Sequence, residues 1–138
     1  MKKLFLIALL LLVVACSKKQ EKFELFSAES FAYSMDKGWE MNGTVRAKGF
    51  EQNENDKKFS AKLSYTIDLV TVDDKYLTGI DSGTVDKTAD EKISEIEVST
   101  QLKLDSSYKP GTYKVIFNVK DELSKQSASL WSFFELSK

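Results

Sequence analysis

Histidine is absent from the sequence. This takes away the commonest general base and the commonest transition-metal ligand, and it makes a Ser-His-Asp triad impossible. There is one cysteine, Cys16. No disulfide can close within the chain, so the folded part must rely on its apolar core. The only proline is Pro110. Internal repeats, low-complexity segments and basic stripes that could follow nucleic-acid phosphates are also missing, and no nucleic-acid partner is expected. The longest apolar run, Leu4 to Ala15, falls well short of the roughly 20 residues that span a bilayer core.

That run nevertheless has a context. Lys2 and Lys3 precede it, and the small residue Ala15 ends it. A basic start, an apolar stretch and a small residue at the cut are the parts of a secretory signal. A permanent membrane anchor is the alternative. Val13-Val14-Ala15-Cys16 resembles the lipobox of bacterial lipoproteins, with valine at Val13 where leucine is commonest. The resemblance implies cleavage between Ala15 and Cys16 and diacylglycerol on the Cys16 sulfur, with or without a further acyl chain on its amine. No other cofactor is implied. Two or more acyl chains anchor stably, whereas one binds only marginally. By the same resemblance, aspartate after the cysteine would favour retention at an inner membrane, so Ser17 implies the outer membrane rather than the inner one if the host has two. An ordinary signal peptide followed by a chance cysteine remains the alternative.

The expected organisation is therefore a helical signal peptide over 1–15, a lipidated cysteine and polar tether over 16–22, and one domain over 23–138. Removing Met1 to Ala15 takes 15 of the 138 residues, with two lysines and no acid, and moves the formal net charge from −1 to −3. The mature surface is mildly acidic and mixed.

From Phe23 onward the pattern is mostly period two, the mark of strands with one buried face. Phe23-Leu25 and Phe31-Tyr33-Met35 give the apolar side of a broken edge strand. Trp39, Met41, Gly43, Val45 and Ala47 give a second strand, and Phe59, Ala61, Leu63, Tyr65, Ile67 and Leu69 the longest one. Gln52 to Lys58 reads as a polar loop, Asp73-Asp74-Lys75 as a turn before Tyr76-Leu77, and Asp81-Ser82-Gly83 as a break. Thr88-Ala89-Asp90-Glu91 has the spacing of a capping box and predicts one helical turn. Ile96, Val98, Thr100, Leu102 and Leu104 alternate next. Lys109-Pro110-Gly111-Thr112 then predicts a turn leading into Tyr113, Val115, Phe117 and Val119. A polar loop over Asp121 to Gln126 and a last strand over Ala128 to Leu136 complete about seven antiparallel strands, an all-β sandwich or barrel.

Residues 108 to 136 carry a second resemblance. Tyr108-Lys109-Pro110-Gly111-Thr112-Tyr113 feeding a strand that closes at Asp121, and a last strand ending Phe134-Glu135-Leu136, resemble the closing hairpin of bacterial immunoglobulin-like domains. The resemblance implies an immunoglobulin-like sandwich without the cysteine pair of antibody domains. Fold alone implies no activity.

Acids are frequent between Asp68 and Glu91, but they lack the spacing of a calcium loop and read as solvated charge. No paired carboxylates stand out as a glycosidase would require, and pairs such as Ser124-Lys125 are ordinary surface composition. The last strand differs. If Ala128, Leu130, Phe134 and Leu136 face the core, alternation turns Trp131 and Phe133 to the other side. Val70 and Ile116 also break the outward-polar rule, and with Trp131 and Phe133 they would form one apolar patch if their strands are neighbours. A bulge swinging both aromatics inward, or a loop covering them, is the alternative. Trp39 and Tyr113 are expected in the core. These readings together anticipate a non-catalytic, lipid-anchored protein of the cell envelope. It would bind another envelope protein through a strand edge or through the Trp131/Phe133 face, or, alternatively, bind carbohydrate or peptidoglycan.

Overall fold

A computed structural model describes residues 21–138. The expectations placed on Met1–Ala15, on cleavage after Ala15 and on lipidation of Cys16 lie outside the described residues, as does most of the tether.

The alternating segments become eight strands: β1 (Glu24–Met35), β2 (Gly38–Lys48), β3 (Asn53–Asn55), β4 (Lys58–Val70), β5 (Tyr76–Ala89), β6 (Ile96–Leu104), β7 (Gly111–Asp121) and β8 (Ser127–Leu136). They make two antiparallel sheets. The first has the order β1-β2-β6. The second is built around β4. β5 pairs along one side of it, β7 and the short β3 pair along the other, and β8 pairs with β7.

Met41, Val45, Val98 and Leu102 of the first sheet share one buried cluster with Leu63, Ile67, Leu69, Val115, Phe117 and Val119 of the second. The arrangement is all-β and sandwich-like. Burying each such side chain contributes on the order of 1.5–3 kcal/mol. In β6 every apolar position is buried and every intervening polar one exposed, as its alternation predicts.

Trp39 and Tyr113 are core residues, as expected. Trp39 donates its Nε1–H to the Ser137 carbonyl at 2.9 Å, and Tyr113 donates its hydroxyl to the Lys109 carbonyl at 2.6 Å. The Tyr113 ring packs against those of Tyr108 and Phe134, with centroids 6.2 Å and 5.7 Å away. Asp121 is fully buried and closes the β7–β8 loop. It accepts bonds from the Leu123 amide, the Ser124 hydroxyl and, across the fold, the Glu51 amide.

Several expectations are corrected. Phe31, Tyr33 and Met35 do lie on an edge strand, but they face solvent. A bulge between Phe26 and Glu29, with Ser27 at φ 53°, reverses the parity of β1. Before it, Leu25 stands opposite the inward Ala47. After it, Ser30 and Ala32 stand opposite the inward Gly43 and Met41. One extra residue flips every later side chain to the other face.

The loop over Gln52 to Lys58 contains a small hairpin, with Asp56 and Lys57 at positive φ in its turn. Thr88 and Ala89 finish β5 and Asp90-Glu91 form a bend, so the predicted helical turn does not occur. Pairing with β4 continued the strand past the local capping signal. The break predicted at Asp81-Ser82-Gly83 lies inside β5. The irregularity falls instead between Leu77 and Asp81, where Gly79 adopts φ 62°. The hydrogen-bonded turn before β7 is Asp105 to Tyr108, and Gly111, at φ 142°, already begins the strand. A side chain at Gly111 would also strike Val72.

Candidate binding face

β7 and β8 pair without a bulge from Gly111–Leu136 to Lys120–Ser127. Strict alternation therefore holds. Leu130, Phe134 and Leu136 point inward, while Trp131 and Phe133 point out, 51% and 61% exposed. No swing inward occurs.

The register brings all four sequence-predicted residues together on the outer face of the second sheet. Val70 is opposite Lys114, and Lys114 is opposite Phe133. In the next row, Asp68 is opposite Ile116 and Ile116 is opposite Trp131. Ile116 differs from the other three. It is only 7% exposed, because its cross-strand neighbours on both sides cover it. It is the floor of the patch rather than part of its reach. Tyr76, opposite Val70, extends the upper row outward and is exposed.

The lower half of the same face is polar. Thr66, Asn118 and Ser129 make one row, and Ser64, Lys120 and Ser127 the next, around a shallow depression. A hydrogen-bond chain runs across the boundary. The Gly79 amide donates to Asp68 Oδ1 at 2.8 Å, and Asn118 Nδ2 donates to Asp68 Oδ2 at 2.9 Å. The Ser129 hydroxyl donates to Asn118 Oδ1 at 2.6 Å. Four strands are thus tied together beneath the aromatics, and both Asp68 oxygens are engaged.

Lys114 is the residue that sequence reasoning missed. Its Nζ sits 4.7 Å from the centroid of the Trp131 ring. Among the described residues the ion pairs join Arg46 to Glu95 and Glu97, Lys48 to Glu24, Lys109 to Asp73 and Lys125 to Glu122. None involves Lys114. Pairing the hairpin outward from its Asp121–Gln126 loop would have placed Lys114 beside Phe133.

A second aromatic pair stands on the outer face of the first sheet. The Phe31 and Tyr33 rings stack with centroids 6.4 Å apart. Tyr33 is opposite Glu40, a buried carboxylate that accepts a bond from the Gln101 side-chain amide. The β1 bulge that exposes these rings leaves no signal in the alternation.

Of the shifted acidities, that of Glu122 touches the polar end of this face and the others lie away from it. Two hydrogen bonds from Ser107 lower the Asp105 pKa. The Ser64 hydroxyl, followed by Lys125, lowers that of Glu122. Burial, followed by the charge of Asp73, raises that of Tyr113. Among the described residues no group of three or more Cys, Asp or Glu side chains is placed to hold a metal ion. Neither a protein-family model nor a curated protein matches the sequence.

Proposed function

We propose that this chain is a lipid-anchored envelope protein whose domain is a non-catalytic docking module, with the Val70/Trp131/Phe133 face as its contact surface. One observation carries the reading: an unbulged hairpin holds Trp131 and Phe133 half or more exposed on a rigid sheet. Aromatics of this kind are where binding energy concentrates in protein interfaces.

Strand-edge pairing is less well supported. β5 is an edge with a bulge at Gly79, and its Asp81 and Lys87 stand opposite the buried Ile67 and Ala61. Inward-pointing charges and bulges are the devices that block added strands. The edge of β8 lies under β1, where the Ser30 hydroxyl donates to the Phe133 carbonyl at 3.2 Å and shares a hydrogen bond with the Ser132 hydroxyl at 2.8 Å.

For the fold we infer an immunoglobulin-like sandwich. β1, β2 and β6 take the places of strands A, B and E, and β4, β7 and β8 those of C, F and G. β5 pairs with β4 as a C′ strand does. The bond from the Tyr113 hydroxyl to the Lys109 carbonyl has the form of a tyrosine corner.

The anchor and the face fit one geometry. The chain enters the domain at Phe23, whose amide donates to Gln126 at 3.4 Å, beside the start of β8. Phe133 is six residues further along that strand, roughly 20 Å away at 3.3 Å per residue. A lipid on Cys16 would then present the aromatics away from the membrane.

The test is in-cell cross-linking with mass spectrometry on the native protein, on Cys16→Ala and on the Trp131→Ser/Phe133→Ser double variant. Partner cross-links should fall at least about tenfold in the double variant, as loss of two hot-spot side chains predicts. Its far-ultraviolet circular dichroism and unfolding midpoint should hardly change. Cys16→Ala should abolish labelling by an alkyne fatty acid. Undiminished capture by the double variant would refute the docking face.

A further inference from the structure

We propose that the partner segment received by this face carries a carboxylate between apolar side chains, and that Lys114 is the group that reads it. This rests on the docking reading above. Lys114 stands between Val70 and Phe133 in the strand register, and its ammonium lies over Trp131 with no ion-pair partner among the described residues. The nearby acid in the adjacent row, Asp68, has both oxygens occupied by Gly79 and Asn118. Glu135, diagonal to Lys114 near the end of β8, forms no ion pair with it and lies 3.4 Å from the Thr112 hydroxyl. Lys120, in the polar rows below, adds a second cation to the same face.

A wholly apolar partner would strip water from Lys114 and leave only the Trp131 ring to offset its charge, and a charge so incompletely compensated at an interface is unfavourable. A carboxylate would replace the lost water with a charge-assisted bond. The same position argues against sugar stacking. One face of the Trp131 ring already carries the ammonium, 4.7 Å from the ring centroid, and a stacked sugar would have to compete with it there.

The experiment is photo-cross-linking in cells from benzoylphenylalanine placed at Ser129, in the full chain, with Lys114 as wild type, Arg, Gln or Glu. Lys114→Arg should keep the product within about twofold, and Lys114→Glu should reduce it at least about tenfold, the scale on which like charges reject a partner. The cross-linked peptide, sequenced by mass spectrometry, should hold Asp or Glu flanked by Leu, Ile, Val or Phe. A product insensitive to Lys114→Glu overturns the charge inference and leaves the docking face standing. A product that glycan hydrolases degrade overturns it in favour of a glycan. If Ser129 yields nothing while the same cross-linker at Lys103, on the opposite sheet, yields product, the docking reading falls as well.

Discussion

Phe133 and Phe134 are adjacent in the chain and identical in chemistry, yet one is 61% exposed and the other 4%. They stand on opposite faces of the same hairpin. Phe134 stacks on Tyr113, which in turn is held by the Lys109 carbonyl and by Tyr108. Phe133 has Lys114 opposite it and solvent above. Only the inner ring is part of the core. The outer ring adds little to folding, and that difference separates the candidate face from the scaffold beneath it.

The sharpest way to break the comparison is to truncate each ring in turn. Phe134→Ala should destabilise the domain by about 3–5 kcal/mol, through lost burial and the cavity left behind. Phe133→Ala should stay within about 0.5 kcal/mol of wild type, as exposed substitutions do. Urea unfolding followed by circular dichroism reads both. A large loss for Phe133→Ala would mean that the outer ring is structural after all.

How much of this was legible depended on where the alternation was interrupted. β6 and the inner faces of β4 and β7 followed directly from period two, because each pairs on its inward side with one continuous core. Trp131 and Phe133 were legible for the same reason: β8 has no bulge. Whether Val70 and Ile116 join them depends on which strands are neighbours, a tertiary fact that only pairing supplies. The burial of Ile116 was hidden for that reason too. The reversed parity of β1 came from a single positive-φ serine, Ser27, a residue type with no strong local signature for it. The capping-box spacing at Thr88 to Glu91 was a true local preference that lost to the β4–β5 ladder.

A second test follows the comparison into titration. Burial raises the pKa of Tyr113 on the inner side of the hairpin. The folded state therefore holds this proton more tightly than the unfolded chain. Its contribution is complete below the unfolded value of about 10 and is lost as pH rises through the folded value. Tyr113→Phe should lose about 1 kcal/mol at neutral pH, with the bond to Lys109 gone. It should also be less sensitive to alkali than wild type. Stability measured from pH 7 to 11 decides this, and parallel curves for the two proteins would refute the assignment.

The smallest effect belongs to the outer side. Ser64 lies on the polar half of the candidate face, and its hydroxyl donates to Glu122 at 2.6 Å. That bond, with help from Lys125, lowers the Glu122 pKa. The sign is opposite to that of Tyr113. The contribution is present above the unfolded value of about 4.3 and is lost as pH falls through the folded one. Glu122 is partly exposed and its pairing is screened, so the effect is slight. Relative to Glu122→Gln, wild type should lose a little stability between neutral pH and about pH 3, and added salt should shrink the difference. An outer-face group that instead dominated the acid limb would erase the division between a face that folds the protein and a face free to bind.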